Sequence, residues 1–173
     1  MSTSLYDISV ASYLQTLGAV AGYLDKGLEF CRSKNVNPEE ITEARLFSDM
    51  LPFRFQIVSV VHHSIGAVEG LEKGLFEPPG QMDPLDYSGL QNLIADTVGA
   101  LRALTPAEIN ALQGRDMTFK IRDRQIPFTA ETFVLSFSLP NFYFHATTAY
   151  DILRTKGVPV GKRDFLGQLR VKA

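Results

Sequence analysis

The chain lacks most of the features that would identify a protein at once. Among its 173 residues there is one cysteine, Cys31, so no disulfide can close within it, which fits a reducing compartment. Neither sign of charge is in excess, since 17 basic and 19 acidic residues leave a formal −2. Without a broad positive field to hold phosphates, nucleic acid is a poor default partner. Long apolar runs are missing too. The stretch from Ile57 to Val61 is interrupted by Ser59 and then meets His62 and His63, far short of the roughly 20 apolar residues that span a bilayer. Met1 to Val10 has no basic start followed by an apolar stretch, and Val171-Lys172-Ala173 is no lipidation or retention signal. No membrane partner is expected, and the expected location is the cytoplasm. The HExxH, CxxC, GxSxG and GxGxxG motifs are all absent. Gly157 to Lys162 superficially suggests a phosphate loop. Its glycine spacing is one short, Arg163 stands where Ser or Thr belongs, and no strand leads in.

What is present is a core. Hydrophobic residues make up 45% of the chain and charged residues 21%, enough apolar material for one domain over 1–173. Glycine (13) and proline (9) are at ordinary levels, which excludes bulk disorder and fibrous repeats.

The hydrophobic periodicity is helical. Tyr6, Val10, Tyr13, Leu17, Val20, Leu24 and Leu28 recur at spacings of three and four, predicting a first helix from about Ser4 to Cys31, capped by Ser2, Thr3 or Ser4. Asn37-Pro38-Glu39-Glu40 starts a second, with an N-cap asparagine, an N1 proline and acids at the positive end of the dipole. Its pattern continues to about Leu75, with a kink or break expected at Pro52. Ser59, His63, Gly66 and Gly70 form a face of small residues that another helix could approach closely. Glu77 to Pro84 is a loop. Ser88 with Gln91 predicts the capping box of a third helix to Leu104, and Thr105 with Glu108 predicts another that opens a short turn. Alternation from Gly114 to Phe128 around Asp123-Arg124-Gln125 predicts a β-hairpin, which must pack on the helices to be stable. A fourth helix runs from about Thr129 to Lys156, with Gly157 at C′ and Pro140 inside it. The tail, 158–173, is expected to be extended and to pack back on the helices. The predicted fold is all-α, an antiparallel four-helix bundle with a small hairpin before the last helix.

The chemistry-bearing residues gather around the two prolines: Asp49, Arg54 and Gln56 near Pro52, and Ser136, Ser138, Asn141 and His145 near Pro140. On the fourth helix Ser138, Asn141, His145 and Thr148 share a side amid Phe137, Phe142, Tyr143 and Phe144. A polar seam among aromatics suits a small-molecule pocket between helices. It equally suits a buried network that repairs the kinks. Arg45 and Asp49, at i and i+4, could pair on the second helix. Cys31 sits at the negative end of its helix, where a thiolate is disfavoured. His62 and His63 are adjacent and point about 100° apart on a helix, so both cannot easily hold one ion.

Leu139-Pro140-Asn141-Phe142-Tyr143-Phe144-His145-Ala146-Thr147-Thr148-Ala149-Tyr150, with Ile152-Leu153-Arg154, Gly157 to Lys162 and Asp164 to Gly167, resembles the C-terminal signature of a domain-of-unknown-function family. Ala44-Arg45-Leu46, Asp49-Met50 and Gln56 add to the likeness. That family is similar to the DinB/YfiT-like superfamily of four-helix bundles. The superfamily implies a metal site with one histidine on helix 2 and an HxxxH pair on helix 4, and in some members thiol-dependent transfer or isomerisation. His145 matches the first histidine of the pair, Ala149 occupies the second position, and His62 or His63 is the loose match on helix 2.

Three functions follow as expectations. In the first, the protein binds or transforms a small hydrophobic molecule without metal or other cofactor. His145, with Asn141 and Tyr150, would do the chemistry, and Tyr13, Arg45, Asp49, Gln56 and His62 would line the ligand. In the second, a DinB-like transferase or hydrolase uses a metal on His62 or His63 and His145. In the third, the chain is a non-catalytic interaction protein. A homodimer is expected in any case.

Overall fold

The computed structural model describes residues 3–80 and 83–172, and Ser2 and Ala173 lie outside them. Ser4 is the cap that forms. Its hydroxyl accepts from the Asp7 amide while the Asp7 carboxylate accepts from the Ser4 amide, opening α1 (Leu5–Ile8). At Ser9 the backbone leaves helical geometry, and α2 (Val10–Lys34) continues the predicted stripe, with Val10, Tyr13, Leu17, Val20 and Leu24 buried. Asn35, at φ 54°, ends it in the left-handed conformation that asparagine tolerates.

The second helix expected from Asn37 to about Leu75 does break at Pro52, and the gap is wider than a kink. Asn37 Oδ1 does accept from the Glu39 amide, but α3 (Glu39–Thr42) ends after one turn. An irregular stretch follows to Pro52, which caps α4 (Phe53–Val61). Proline cannot donate its amide within a helix, so the chain breaks there and restarts. Arg45 and Asp49 therefore never share a helix face. Both are exposed, and Arg45 donates to the Met50 carbonyl instead of pairing with Asp49.

After α4 the helix widens into a π-turn over His62–Gly66 before α5 (Ala67–Lys73). The strand β1 (Leu75–Phe76) follows. Asp86, not Ser88, caps α6 (Tyr87–Ala103), accepting from the Gly89 amide at 2.7 Å. Ser88 turns its hydroxyl to that same carboxylate. The Thr105–Glu108 box opens α7 (Pro106–Asn110) as expected. The hairpin forms as β2 (Asp116–Ile121) and β3 (Arg124–Thr129), joined antiparallel with Phe119 opposite Ile126. No local pattern announces β1, a two-residue strand that adds parallel to β2 and makes the sheet three-stranded.

The last helical stretch is α8 (Ala130–Phe133), a second π-turn (Val134–Ser138) and α9 (Leu139–Thr155). Pro140 lies in the first turn of α9 and has no amide to return to the preceding turn, which takes the wider spacing. Gly157 follows at φ 91°, as a C′ glycine should. The tail is not extended throughout. It forms α10 (Lys162–Leu166), pinned to α2 by Lys26 Nζ to Asp164 Oδ1 at 2.7 Å.

The chain is thus mostly helical with a small sheet. α2 packs on α6 and α9, and α4 packs on the same two helices, around one continuous apolar core. The sheet packs on the small-residue face of α5 rather than leaving it to a helix. A Cβ added at Gly70 would lie 3.1 Å from Phe76 Cδ2 and 3.2 Å from Met117 Cε. Among the described residues no helix is long and apolar enough to cross a membrane.

Candidate functional site

The two π-turns face each other and are tied directly. Ser138 donates its hydroxyl to the His63 carbonyl at 2.7 Å, and the buried Tyr13 hydroxyl lies 2.6 Å from the same Ser138 oxygen. A π-turn adds one residue to a helix and re-aims the side chains around it. Here it brings His62, His63 and His145 into one row. The rings of His62 and His63 are 5.3 Å apart, and those of His63 and His145 are 5.8 Å apart and nearly parallel at 14°.

Underneath lies an aromatic bed. Phe76 of β1 meets His62 at 4.4 Å and His63 at 5.6 Å, and Phe137 meets His63 at 5.7 Å. Phe119 and Phe133 extend this layer. β1 and the second π-turn therefore back the imidazoles, and the hairpin supports them from behind through Phe119. His63 is buried, and neither its Nδ1 nor the Nε2 of His62 has a hydrogen-bond partner among the described residues.

His145 is only half-buried. Its Nδ1 lies 2.8 Å from Gln56 Oε1, and Gln56 Nε2 donates to the Leu51 carbonyl at 2.9 Å. The Nε2 of His145 has no hydrogen-bond partner among the described residues, whereas Nδ1 is held by Gln56. Two exposed phenyl rings flank it edge-on, Phe55 at 5.9 Å and Phe144 at 5.2 Å, with 36% and 57% of their surface open.

Burial disfavours the charged form of all three imidazoles. It pushes His63 down to about 3, helped by the neighbouring His62 and His145, and His145 down to about 4. His62 is lowered for the same reason, against the opposing pulls of the Glu77 backbone and of the Glu69 carboxylate. The three rings are neutral at pH 7, able to accept a proton or a hydrogen bond.

The other expected site residues fall elsewhere. Asn141 is one turn from His145, and its Nδ2 donates to the Phe137 carbonyl, repairing the π-turn. Ser136 and Thr148 likewise return their hydroxyls to carbonyls four residues back. Most of the polar seam is thus the kink-repair network. Tyr13 is fully buried and shut away from solvent. Tyr150 packs on Tyr23 and Phe165 and reaches the Val160 carbonyl, away from His145. Cys31 is buried and its thiol is pushed up by that burial, so it stays protonated.

Sequence reasoning set Phe144 beside the polar seam but missed Phe55 as the other flanking ring, and Phe76 as the support. It also missed the join between Gln56 and His145, which lie 89 residues apart. Several clefts lie off the imidazole row. One of about 690 Å³ sits between α2, Arg102 and the tail. One of about 330 Å³ uses Phe55 as a wall, with Arg54, Val58 and Leu85. A smaller one of about 160 Å³ takes His62 and Glu69.

This geometry can be set beside known proteins. Residues 5–166 match the family described as a domain of unknown function, DUF1993, and the chain belongs to that family. Its fold is DinB-like: a crystal structure of a DinB family member protein from Shewanella denitrificans is similar with a TM-score of 0.83. The two share 28% identity over 98% of this chain and 95% of that one. No curated protein matches the chain.

The DinB likeness implies a histidine-held metal, and the residues here do not fit one. Ala149, fully buried, stands where the second helix 4 histidine would be. Among the described residues no three or more His, Cys, Asp or Glu side chains converge as ligands. Catalytic zinc ordinarily takes three protein ligands.

Proposed function

We propose that this DUF1993 protein is a single-domain, cytoplasmic four-helix bundle that binds a small, largely aromatic molecule at the face around His145. The observation that carries this is the half-buried, neutral imidazole of His145, held at Nδ1 by Gln56 and flanked by two exposed phenyl rings. Apolar walls with one oriented polar group are how small-molecule sites achieve both affinity and orientation. Phe55 also walls a cleft of about 330 Å³ with Arg54, Val58 and Leu85, which offers apolar room next to that ring. His145 acts as the polar anchor, and as the acid–base group if a reaction follows. Gln56 holds it, and His62 and His63 form the floor. Metal plays no part in this scheme, because the donor set is incomplete.

A second reading has a specific observation behind it. Leu46, Phe47 and Leu51, 38%, 66% and 47% exposed, precede the α4 that carries Phe55. An exposed apolar set of this kind suits a homodimer.

The test is a thermal-shift screen of aromatic fragments on chelator-treated protein. Hits are expected to raise the Tm of the wild type and not that of His145→Ala. Equal shifts in both proteins, or shifts that need added divalent metal, would contradict the proposal. Sedimentation across a concentration series reports the dimer.

A further inference from the structure

The hydrogen bonds of Gln56 decide more than where His145 points. The Leu51 carbonyl is an acceptor only, so the Gln56 group facing it at 2.9 Å must be the NH2. Turning the amide over would set two oxygens against each other. Gln56 Oε1 therefore faces His145 Nδ1, 2.8 Å away, and a carbonyl oxygen can only accept. The hydrogen must be on Nδ1. In a neutral imidazole one nitrogen donates and the other accepts, so Nε2 carries the lone pair, on the side of the ring away from Gln56. The break at Pro52 is part of this device. It ends the irregular stretch so that the Leu51 carbonyl is free to take the side-chain amide instead of a helical one.

We infer that Gln56 is a positioning residue that holds His145 as the Nδ1–H tautomer, and that the site consequently selects an aromatic molecule bearing a hydrogen-bond donor, of the phenol class. This deepens the ligand reading above and rests on it. Phe55 and Phe144, both edge-on to the imidazole, give a flat apolar ring surface to pack on, and the lone pair of Nε2 accepts its hydroxyl hydrogen. A ligand with only acceptors meets lone pair against lone pair and is refused. A bound ring also shields Nε2 from water, so an analogue that cannot donate leaves that acceptor unpaired and binds more weakly.

The tautomer is read directly from two-bond proton–nitrogen correlations of 15N-histidine-labelled, chelator-treated protein near pH 7. The wild type is expected to show His145 protonated on Nδ1. Gln56→Leu is expected to move the proton to Nε2, whereas Gln56→Glu, which keeps an acceptor, retains Nδ1–H. The ligand class is read in the same spectrum with 4-methylphenol and its methyl ether as probes. The phenol is expected to shift His145 Nε2 and to bind at least about tenfold more tightly than the ether, a difference of about 1.4 kcal/mol. A wild type protonated on Nε2 overturns the inference even if Gln56→Leu fails to fold. So does an unchanged tautomer in a folded Gln56→Leu protein, or equal binding of the two probes. If fragment binding still depends on His145 after any of these results, the ligand reading survives without the donor rule. If neither probe touches the wild type, the ligand reading falls with it.

Discussion

Two sets of partly polar rings lie inside this protein, and they are treated in opposite ways. The tyrosines are satisfied. Tyr13 meets Ser138 at 2.6 Å, Tyr23 donates to the Ala146 carbonyl at 3.1 Å, and Tyr87 donates to the Leu24 carbonyl at 2.8 Å. Each phenol joins one helix to another, and burial raises all three so that they stay protonated. The histidines at the π-turns are not satisfied. Among the described residues His62 Nε2 and His63 Nδ1 are buried without a hydrogen-bond partner, and a buried polar group left unpaired costs about 1–3 kcal/mol. The difference separates polar rings that hold the fold from polar rings that weaken it. Groups that a fold keeps at a cost are the better candidates for function.

The tyrosine side should break hardest. A Cβ at Gly27 would fall 2.2 Å from the Tyr87 hydroxyl and 3.2 Å from Leu153 Cδ2. Gly27→Ala is expected to cost about 2–4 kcal/mol in urea unfolding, by overpacking and by loss of the Tyr87 bond. Tyr13→Phe removes one partner of Ser138 and should cost about 1–2 kcal/mol.

The histidine side should respond with the opposite sign. His63→Phe fills the same space among Phe76 and Phe137 and removes the orphan nitrogen, while the backbone carbonyl that Ser138 uses is kept. It is expected to stabilise by about 1 kcal/mol. Loss of stability would mean that the nitrogen is partnered in solution.

Acidity sharpens the contrast. At pH 7 the imidazoles are neutral folded and unfolded and contribute nothing. Below about pH 6.5 the unfolded chain takes up protons that His63 and His145, held near 3 and 4, refuse. Stability therefore falls as pH drops from about 6.5 towards 4, by up to about 1.4 kcal/mol per pH unit per histidine. The helix-capping carboxylates of Asp7, Asp86 and Glu108, all lowered by their hydrogen bonds, lose their contribution only further down. His63→Phe should make the upper slope shallower. An unchanged slope would place the titration in other groups.

Much of the fold was legible because it rests on local signals. The stripe of α2, the box at Thr105, the alternation of the hairpin and the C′ glycine at 157 are each written within a few neighbouring residues. The breaks were less legible. Pro52 was visible, but the loss of helix between Thr42 and Pro52 depends on where the chain must turn to bury Phe53. The π-turn at His62–Gly66 has no proline to announce it. The site was legible in part. His145, Gln56, His62 and His63 were singled out, yet what joins them is a tertiary contact between residues far apart in sequence. Tyr150 and Tyr13 drew notice as polar rings on the right helices, and only packing shows that they face other neighbours.

The central claim is that the half-buried imidazole of His145, not the tyrosines, makes the binding site. The most direct measurement is a calorimetric titration of the best fragment from the screen into chelator-treated wild type, His145→Ala and Tyr150→Phe. Binding is predicted to weaken at least about tenfold, or about 1.4 kcal/mol, in His145→Ala and to stay within about twofold in Tyr150→Phe. Full affinity in His145→Ala, with loss in Tyr150→Phe, would contradict it.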